Sequence, residues 1–122
     1  MAKYLLDSDV LIWLLRGRSE TLQRVESLDG PLGVSVVSRA EVWAGAREAE
    51  HRKIEDLFLS LTTYAVDGPV ADLAGEFLRR YRRRGQSLEL PDAFIAATAV
   101  VHGLMLVTYN LAHFPMPELK LA

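Results

Sequence analysis

The chain alternates short apolar runs with longer segments in which apolar residues recur every three or four positions. This alternation predicts strands interleaved with helices, and hence a mostly parallel sheet covered on both faces. Lys3 to Leu6 reads as a first strand, ended by Asp7-Ser8. Val10 to Leu15 is apolar throughout, so periodicity cannot decide its type. A helix is predicted there because Asp7, Ser8 or Asp9 can cap it and Gly17 can close it. Ser19 to Leu28 places Leu22, Val25 and Leu28 at helical spacing. Gly30-Pro31-Leu32-Gly33 predicts a turn, and Val34 to Val37 a second buried strand.

Ser38-Arg39-Ala40-Glu41 fits an S-x-x-E capping box, opening a helix that carries Val42, Trp43 and Ala46. A further helix from about Glu48 to Leu61 puts Ile54, Leu57, Phe58 and Leu61 on one face, and Thr62 to Val66 reads as a third strand. Asp67-Gly68-Pro69 starts the next helix, with Asp67 as cap and Pro69 in the first turn; Gly85 ends it after an arginine run. Gln86 to Leu90 is a loop. Pro91-Asp92 opens an Ala-rich helix that Gly103 stops, Leu104 to Thr108 is a fourth strand, and Leu119 to Leu121 is a last edge strand. With no internal repeat, low-complexity stretch or linker, 122 residues fit one α/β domain over residues 1–122.

Composition narrows the function classes. Half the residues are hydrophobic and a quarter are charged, which suits a packed core and excludes a disordered chain. A formal net charge of −2 exerts no global pull on nucleic acid, so such contact must come from a local basic patch. The absence of Cys excludes disulfides and thiolate metal sites. The longest apolar stretch, Ala93 to Val101, is too short to span a membrane, and no secretory segment is visible at the N-terminus. A soluble cytoplasmic protein is expected.

The candidate chemistry lies at the ends of elements. Asp7 directly follows the first strand, Glu41 lies about one turn beyond the second, and Asn110 follows the fourth. Asp92 opens the helix that feeds the fourth strand, so its place at the same edge is less direct. Open parallel sheets bind ligands at the carboxyl ends of their strands. Carboxylates gathered there without cations repel and favour a metal, and hard oxygen donors without Cys point to Mg²⁺ or Mn²⁺. Each residue also has a plainer role: Asp7 as helix cap, Glu41 as capping-box acid, Asp92 as helix-dipole partner, Asn110 as turn residue. Four oxygen-bearing side chains at four element ends are harder to read as four unrelated caps.

Arg79, Arg80, Arg82, Arg83 and Arg84 complement a helix C-terminus and equally suit contact with phosphates. No Gly-rich phosphate loop is present, and His51, His102 and His113 have no evident nucleophile partner. Asp7-x-Asp9 after a strand also suits a dehalogenase-like phosphatase, but the second half lacks the downstream pattern of that chemistry.

The runs YLLDSDVLIWLLRG, SVVSRAEVWAGA, LPDAFIAATAVVHGLMLVTYN and the trailing HF closely resemble the PIN-domain ribonucleases of the VapC toxin type. The resemblance spans essentially the whole chain. It implies a PIN-like three-layer sandwich with a central sheet of four to five strands, and a Mg²⁺- or Mn²⁺-dependent endoribonuclease. The family's first three acids fall on Asp7, Glu41 and Asp92, and its fourth position on Asn110, a departure from Asp. Ser8 and Thr108 match small hydroxyl positions that order water at the site, Asp9 adds negative charge, and His113-Phe114 matches a structural pair. Phosphodiester hydrolysis of single-stranded or loop RNA is implied, leaving 5′-phosphate and 3′-hydroxyl ends. A homodimer and a VapB-like antitoxin are implied as well; Trp13 and Trp43 suit either an antitoxin groove or the core. A PIN nuclease that processes RNA without an antitoxin and an inactive nucleic-acid-binding module are the alternatives.

Overall fold

The computed structural model describes residues 2–122. In chain order the elements are β1 (Tyr4–Leu6), α1 (Ser8–Leu15), α2 (Ser19–Glu26), β2 (Leu32–Ser35), α3 (Val36–Ala44), α4 (His51–Leu59), β3 (Thr62–Tyr64), α5 (Gly68–Arg83), α6 (Leu90–His102), β4 (Met105–Val107) and β5 (Lys120–Leu121). The strands form one sheet in the order β3-β2-β1-β4-β5, and every neighbouring pair is parallel.

Strand alternation divides the interior into two cores. In β1, Leu5 enters one core while Tyr4 and Leu6 enter the other. The Leu5 side packs against Val70, Ala74, Phe77 and Tyr81 of α5 and the small residues Ala93, Ala96, Ala97 and Ala99 of α6. The alanines keep α6 slim, so that α5 and the sheet both lie against it. The opposite side gathers Val10 and Leu11 of α1, Val42 of α3, and Ile54 and Phe58 of α4. Each fully buried Leu on these faces contributes about 1.5–3 kcal/mol of transfer free energy. The result is the three-layer α/β arrangement expected from the sequence.

Local boundaries differ in instructive ways. The strand expected over Val34 to Val37 begins earlier, at Leu32, and stops at Ser35; Val36 and Val37 open α3 instead. Ser35 Oγ accepts a hydrogen bond from the Val37 N–H at 3.1 Å, so Ser35 is the N-cap. The expected capping box of Ser38 and Glu41 therefore does not form. A serine amid β-branched residues offers the backbone a cap, and apolar periodicity alone could not reveal it. Ser38 is instead buried within the helix, its hydroxyl without a partner.

The turn expected over Gly30 to Gly33 is shorter, because Leu32 and Gly33 join β2. Gly33 is needed there: an added Cβ would meet the Tyr64 ring at 2.7 Å. The helix expected from Glu48 to Leu61 divides into a single 3₁₀ turn at Glu48–Glu50 followed by α4. The third strand ends at Tyr64 rather than Val66. Gly103, at φ 66°, closes α6 in the left-handed conformation as the sequence suggests. Among the described residues no helix is long and apolar enough to cross a membrane.

Candidate active site

The sheet order creates a crevice. The chain runs outward from β1 through β2 to β3 on one side, and from β4 to β5 on the other. The carboxyl ends of β1 and β4 thus flank the point where the winding direction reverses, the position at which open α/β sheets bind ligands. Asp7 is the first residue beyond β1, and its N–H donates to the Val107 carbonyl at 3.0 Å. Its side chain is buried, at 5 % exposure. One carboxylate oxygen accepts the Ser8 N–H at 2.8 Å, at the start of α1; the other accepts the Thr108 hydroxyl at 2.8 Å, across from β4. Asp7 is therefore a helix cap and also part of the crevice.

The other acids arrive from separate elements. Glu41, exposed on α3, accepts the Ser8 hydroxyl at 2.6 Å. Asp92, in the first turn of α6, has Oδ2 at 3.3 Å from His113 Nδ1. Asp9 accepts the Val10 N–H at 2.7 Å through one oxygen and the Tyr109 N–H at 2.9 Å through the other, tying α1 to the segment after β4.

Their charges act on one another. Burial pushes the Asp7 carboxyl up from 3.8 to about 6; the Thr108 hydrogen bond opposes this, and the charges of Asp9 and Asp92 reinforce it. Burial likewise raises Asp92, with His113 opposing and Glu41, Glu89 and Asp9 adding to the rise. Asp7, Glu41 and Asp92 thus share one edge. Among the described residues no Lys or Arg forms an ion pair with them or with Asp9.

Asn110 lies at the same edge, but its side chain is exposed and it joins the network through its backbone N–H, which donates to Thr108 Oγ1 at 3.0 Å. Among the described residues no three acidic or histidine side chains close into a ready-made metal cage. The donor set nonetheless fits a hard divalent cation: several carboxylates, unneutralised, at a shared edge.

Two contacts escaped sequence reasoning. Asp9 grips Tyr109 across a separation of 100 residues, and His113 meets Asp92 across 21; neither separation leaves a periodic signal. Ser8 and Thr108 direct their hydroxyls at Glu41 and Asp7, so they orient carboxylates. His51 lies edge-on to Trp43 and His102 lies against Tyr64.

The arginine run divides in its roles. Arg80 grips Glu118 through two bonds of 2.8 and 2.7 Å, and Arg84 lies over the Tyr81 ring, while Arg79, Arg82 and Arg83 are exposed. Trp13 is exposed with Arg18 over its ring, and Trp43 is half-buried against Phe58, so neither tryptophan is a fully buried core residue.

Comparison with known proteins places the chain in a family. The profile of the PIN domain family matches residues 4–115. Ribonuclease VapC10 of Mycobacterium tuberculosis is 46 % identical over 116 residues, an overlap that takes in 93 % of this chain and 87 % of that protein. A toxin–antitoxin complex from Klebsiella pneumoniae contains a chain of 28 % identity that superposes with a TM-score of 0.84, covering 96 % of this chain and 95 % of that one. The fold also matches a chain of DNA-bound VapBC from Salmonella typhimurium, at 23 % identity and a TM-score of 0.89, over 100 % of this chain and 98 % of that one.

Proposed function

The chain belongs to the PIN domain family, and from that premise we propose that it is a metal-dependent endoribonuclease, the toxin of a toxin–antitoxin pair. One observation carries the catalytic part of the reading. Asp7, Glu41 and Asp92 come from three different helix starts and bodies to one edge, and no Lys or Arg of the described residues forms an ion pair with them. In this reading they hold Mg²⁺ or Mn²⁺, with Asn110 as a neutral member of the set.

A divalent cation held there supplies charge neutralisation and polarisation of a phosphoryl oxygen. The chain's own residues do the placing. Ser8 fixes the Glu41 carboxylate, Thr108 fixes that of Asp7, and Asp9 holds the backbone at Tyr109 next to Asn110. His113 stands against Asp92 and restrains it from the outer side. The open edge leaves the acids reachable by a phosphodiester in an unpaired strand, where neighbouring bases are free to turn away.

The biological role rests on relatives. The curated relative is a ribonuclease by name, and the solved relative of 28 % identity comes from a toxin–antitoxin complex. The expected assembly is a homodimer silenced by a VapB-like antitoxin. The deciding experiment is cleavage of a labelled single-stranded RNA with Mn²⁺, Mg²⁺ or EDTA, using wild type, Asp7→Asn and Asp92→Asn. Cleavage is expected only in wild type with metal. Equal cleavage in EDTA, or by either folded variant, defeats the reading.

A further inference from the structure

Beside the acidic edge lies a hollow of about 270 Å³, just below the usual range for pockets that take drug-sized ligands. Its walls come from the end of α5 (Tyr81), the connection to α6 (Gln86, Ser87 and Leu88) and the segment after β4 (His113 and Pro115). His113 belongs both to this wall and to the acidic edge, because its Nδ1 lies 3.3 Å from Asp92 Oδ2. Whatever occupies the hollow is thus one side chain away from the candidate catalytic acids.

The lining is mixed in a telling way. Leu88 and Pro115 supply apolar surface, while Gln86 and Ser87, exposed on their loop, supply an amide and a hydroxyl. A glutamine amide presents donors and an acceptor in one plane, which complements the hydrogen-bonding edge of a planar heterocycle. The imidazole of His113 offers a flat face of the kind on which unstacked bases rest. Tyr81 backs the wall with its ring. Its side chain is 1 % exposed and lies beside the Arg80 guanidinium. The neighbouring Arg80 directs both arms of its guanidinium to Glu118. The lining contains no Lys or Arg, which argues against a phosphate; Arg79, Arg83 and Arg84 line a different hollow on the end of α5.

We propose that this hollow receives a single nucleobase of the RNA, adjacent to the phosphate at the acidic edge, and that Gln86 and Ser87 read its hydrogen-bonding edge. The proposal rests on the ribonuclease reading and adds to it a site that sets base preference.

The test uses isotope-labelled full chain in EDTA, titrated with each of the four nucleoside 5′-monophosphates and, separately, with inorganic phosphate, and followed by amide NMR. One nucleotide should shift Gln86, Ser87 and His113 saturably, with an affinity about tenfold above the others, the worth of one or two hydrogen bonds. Gln86→Ala should erase most of that preference. Ser87→Ala should weaken the preferred nucleotide while leaving the melting temperature of the free protein unchanged, since Ser87 is exposed. Four nucleotides acting alike, phosphate alone reproducing the shifts, or a preference surviving in both variants overturns the proposal. Because no turnover is involved, the two readings fail separately. RNA cleavage in Mn²⁺ without any base preference sinks only the base site. A base preference without cleavage in any metal sinks only the nuclease.

Discussion

Two aspartates near opposite ends of β1 experience opposite environments. Asp29 lies by the start of the strand, where Lys3 Nζ reaches it at 2.9 Å and the Tyr4 hydroxyl also donates to it. The Lys3 hydrogen bond, seconded by Tyr4, holds its carboxyl down at about 2. Asp7 lies past the end of the same strand, buried and faced by other acids, and its carboxyl is pushed up to about 6. Asp29 is a charge that the fold answers with its own donors. Asp7 is a charge that the fold concentrates and leaves open to an outside cation. A buried carboxylate kept among like charges works against stability, and such sites recur where binding or catalysis requires them.

The largest expected contrast is in activity. Asp7→Asn should reduce metal-dependent RNA cleavage by more than about a hundredfold, the scale on which a group stabilising transition-state charge is missed. Asp29→Asn should leave the rate within about twofold of wild type, because surface changes away from a site rarely propagate. Rates from both variants at saturating Mn²⁺ check the pair. Comparable losses in the two would dissolve the distinction between the ends of β1.

Stability should move in the other direction. The folded Asp7 carboxyl, at about 6, lies above its unfolded value of 3.8. Between these values the folded state binds more protons, so this residue makes the metal-free protein less stable as pH rises from about 4 to about 6, with the full cost present above that. A shift of this size corresponds to at most about 3 kcal/mol. Asn keeps an acceptor for the Ser8 N–H but disturbs the Thr108 contact, so a net gain of about 1–2 kcal/mol, roughly 3–8 °C in melting temperature, is expected for Asp7→Asn at pH 7.5 without metal. Mn²⁺ at a hundredfold excess over Kd should stabilise wild type by about 2.7 kcal/mol and the variant far less. Melting curves with and without Mn²⁺ test both signs. A variant that melts lower and still responds fully to metal would make Asp7 a helix cap and nothing more.

The same contrast separates what the sequence could reveal from what it could not. Asp7 was legible because a short apolar strand ends directly at it, and strand ends define the ligand edge of a parallel sheet. Asp92 was legible as the start of an apolar helix, though only folding shows that α6 starts at the acidic edge. Glu41 was legible by its place about one turn beyond the second strand, and it is its plainer role that does not hold. The capping box is absent, and the residue meets the site through Ser8, 33 positions earlier. Asp9, His113 and the hollow beside Tyr81 depend on contacts between distant segments, which periodicity and capping rules, being local, do not register.

A smaller test concerns Asn110. It lies beyond β4 and its N–H bonds the same Thr108 hydroxyl that donates to Asp7. Asn110→Asp adds an anion to the unneutralised edge, so Mn²⁺ binding by calorimetry should tighten by several-fold, on the order of 1 kcal/mol for a partly exposed charge near the cation. Metal-free melting should fall slightly through added repulsion. Unchanged Mn²⁺ binding would place the side chain outside the cation's reach, and weaker binding would give Asn110 another role.

The smallest effect belongs to the answered charge. Asp29 is exposed, and an exposed ion pair is screened by water and salt, so Asp29→Asn should lower the melting temperature only marginally at pH 7 and not measurably in high salt. Its pH window is the reverse of that of Asp7. The folded carboxyl lies at about 2, below its unfolded value of 3.8, so its contribution is complete above about pH 4 and disappears as pH falls towards 2. Wild type and Asp29→Asn should therefore converge in acid, whereas wild type and metal-free Asp7→Asn should diverge as pH rises from about 4 to about 6. Thermal melts of the three proteins from pH 2.5 to 8 display both windows together. If Asp29→Asn instead removed the response to Mn²⁺ or widened its deficit as pH falls, Asp29 would belong with the acids at the other end of the strand, and the two ends of β1 would no longer differ in kind.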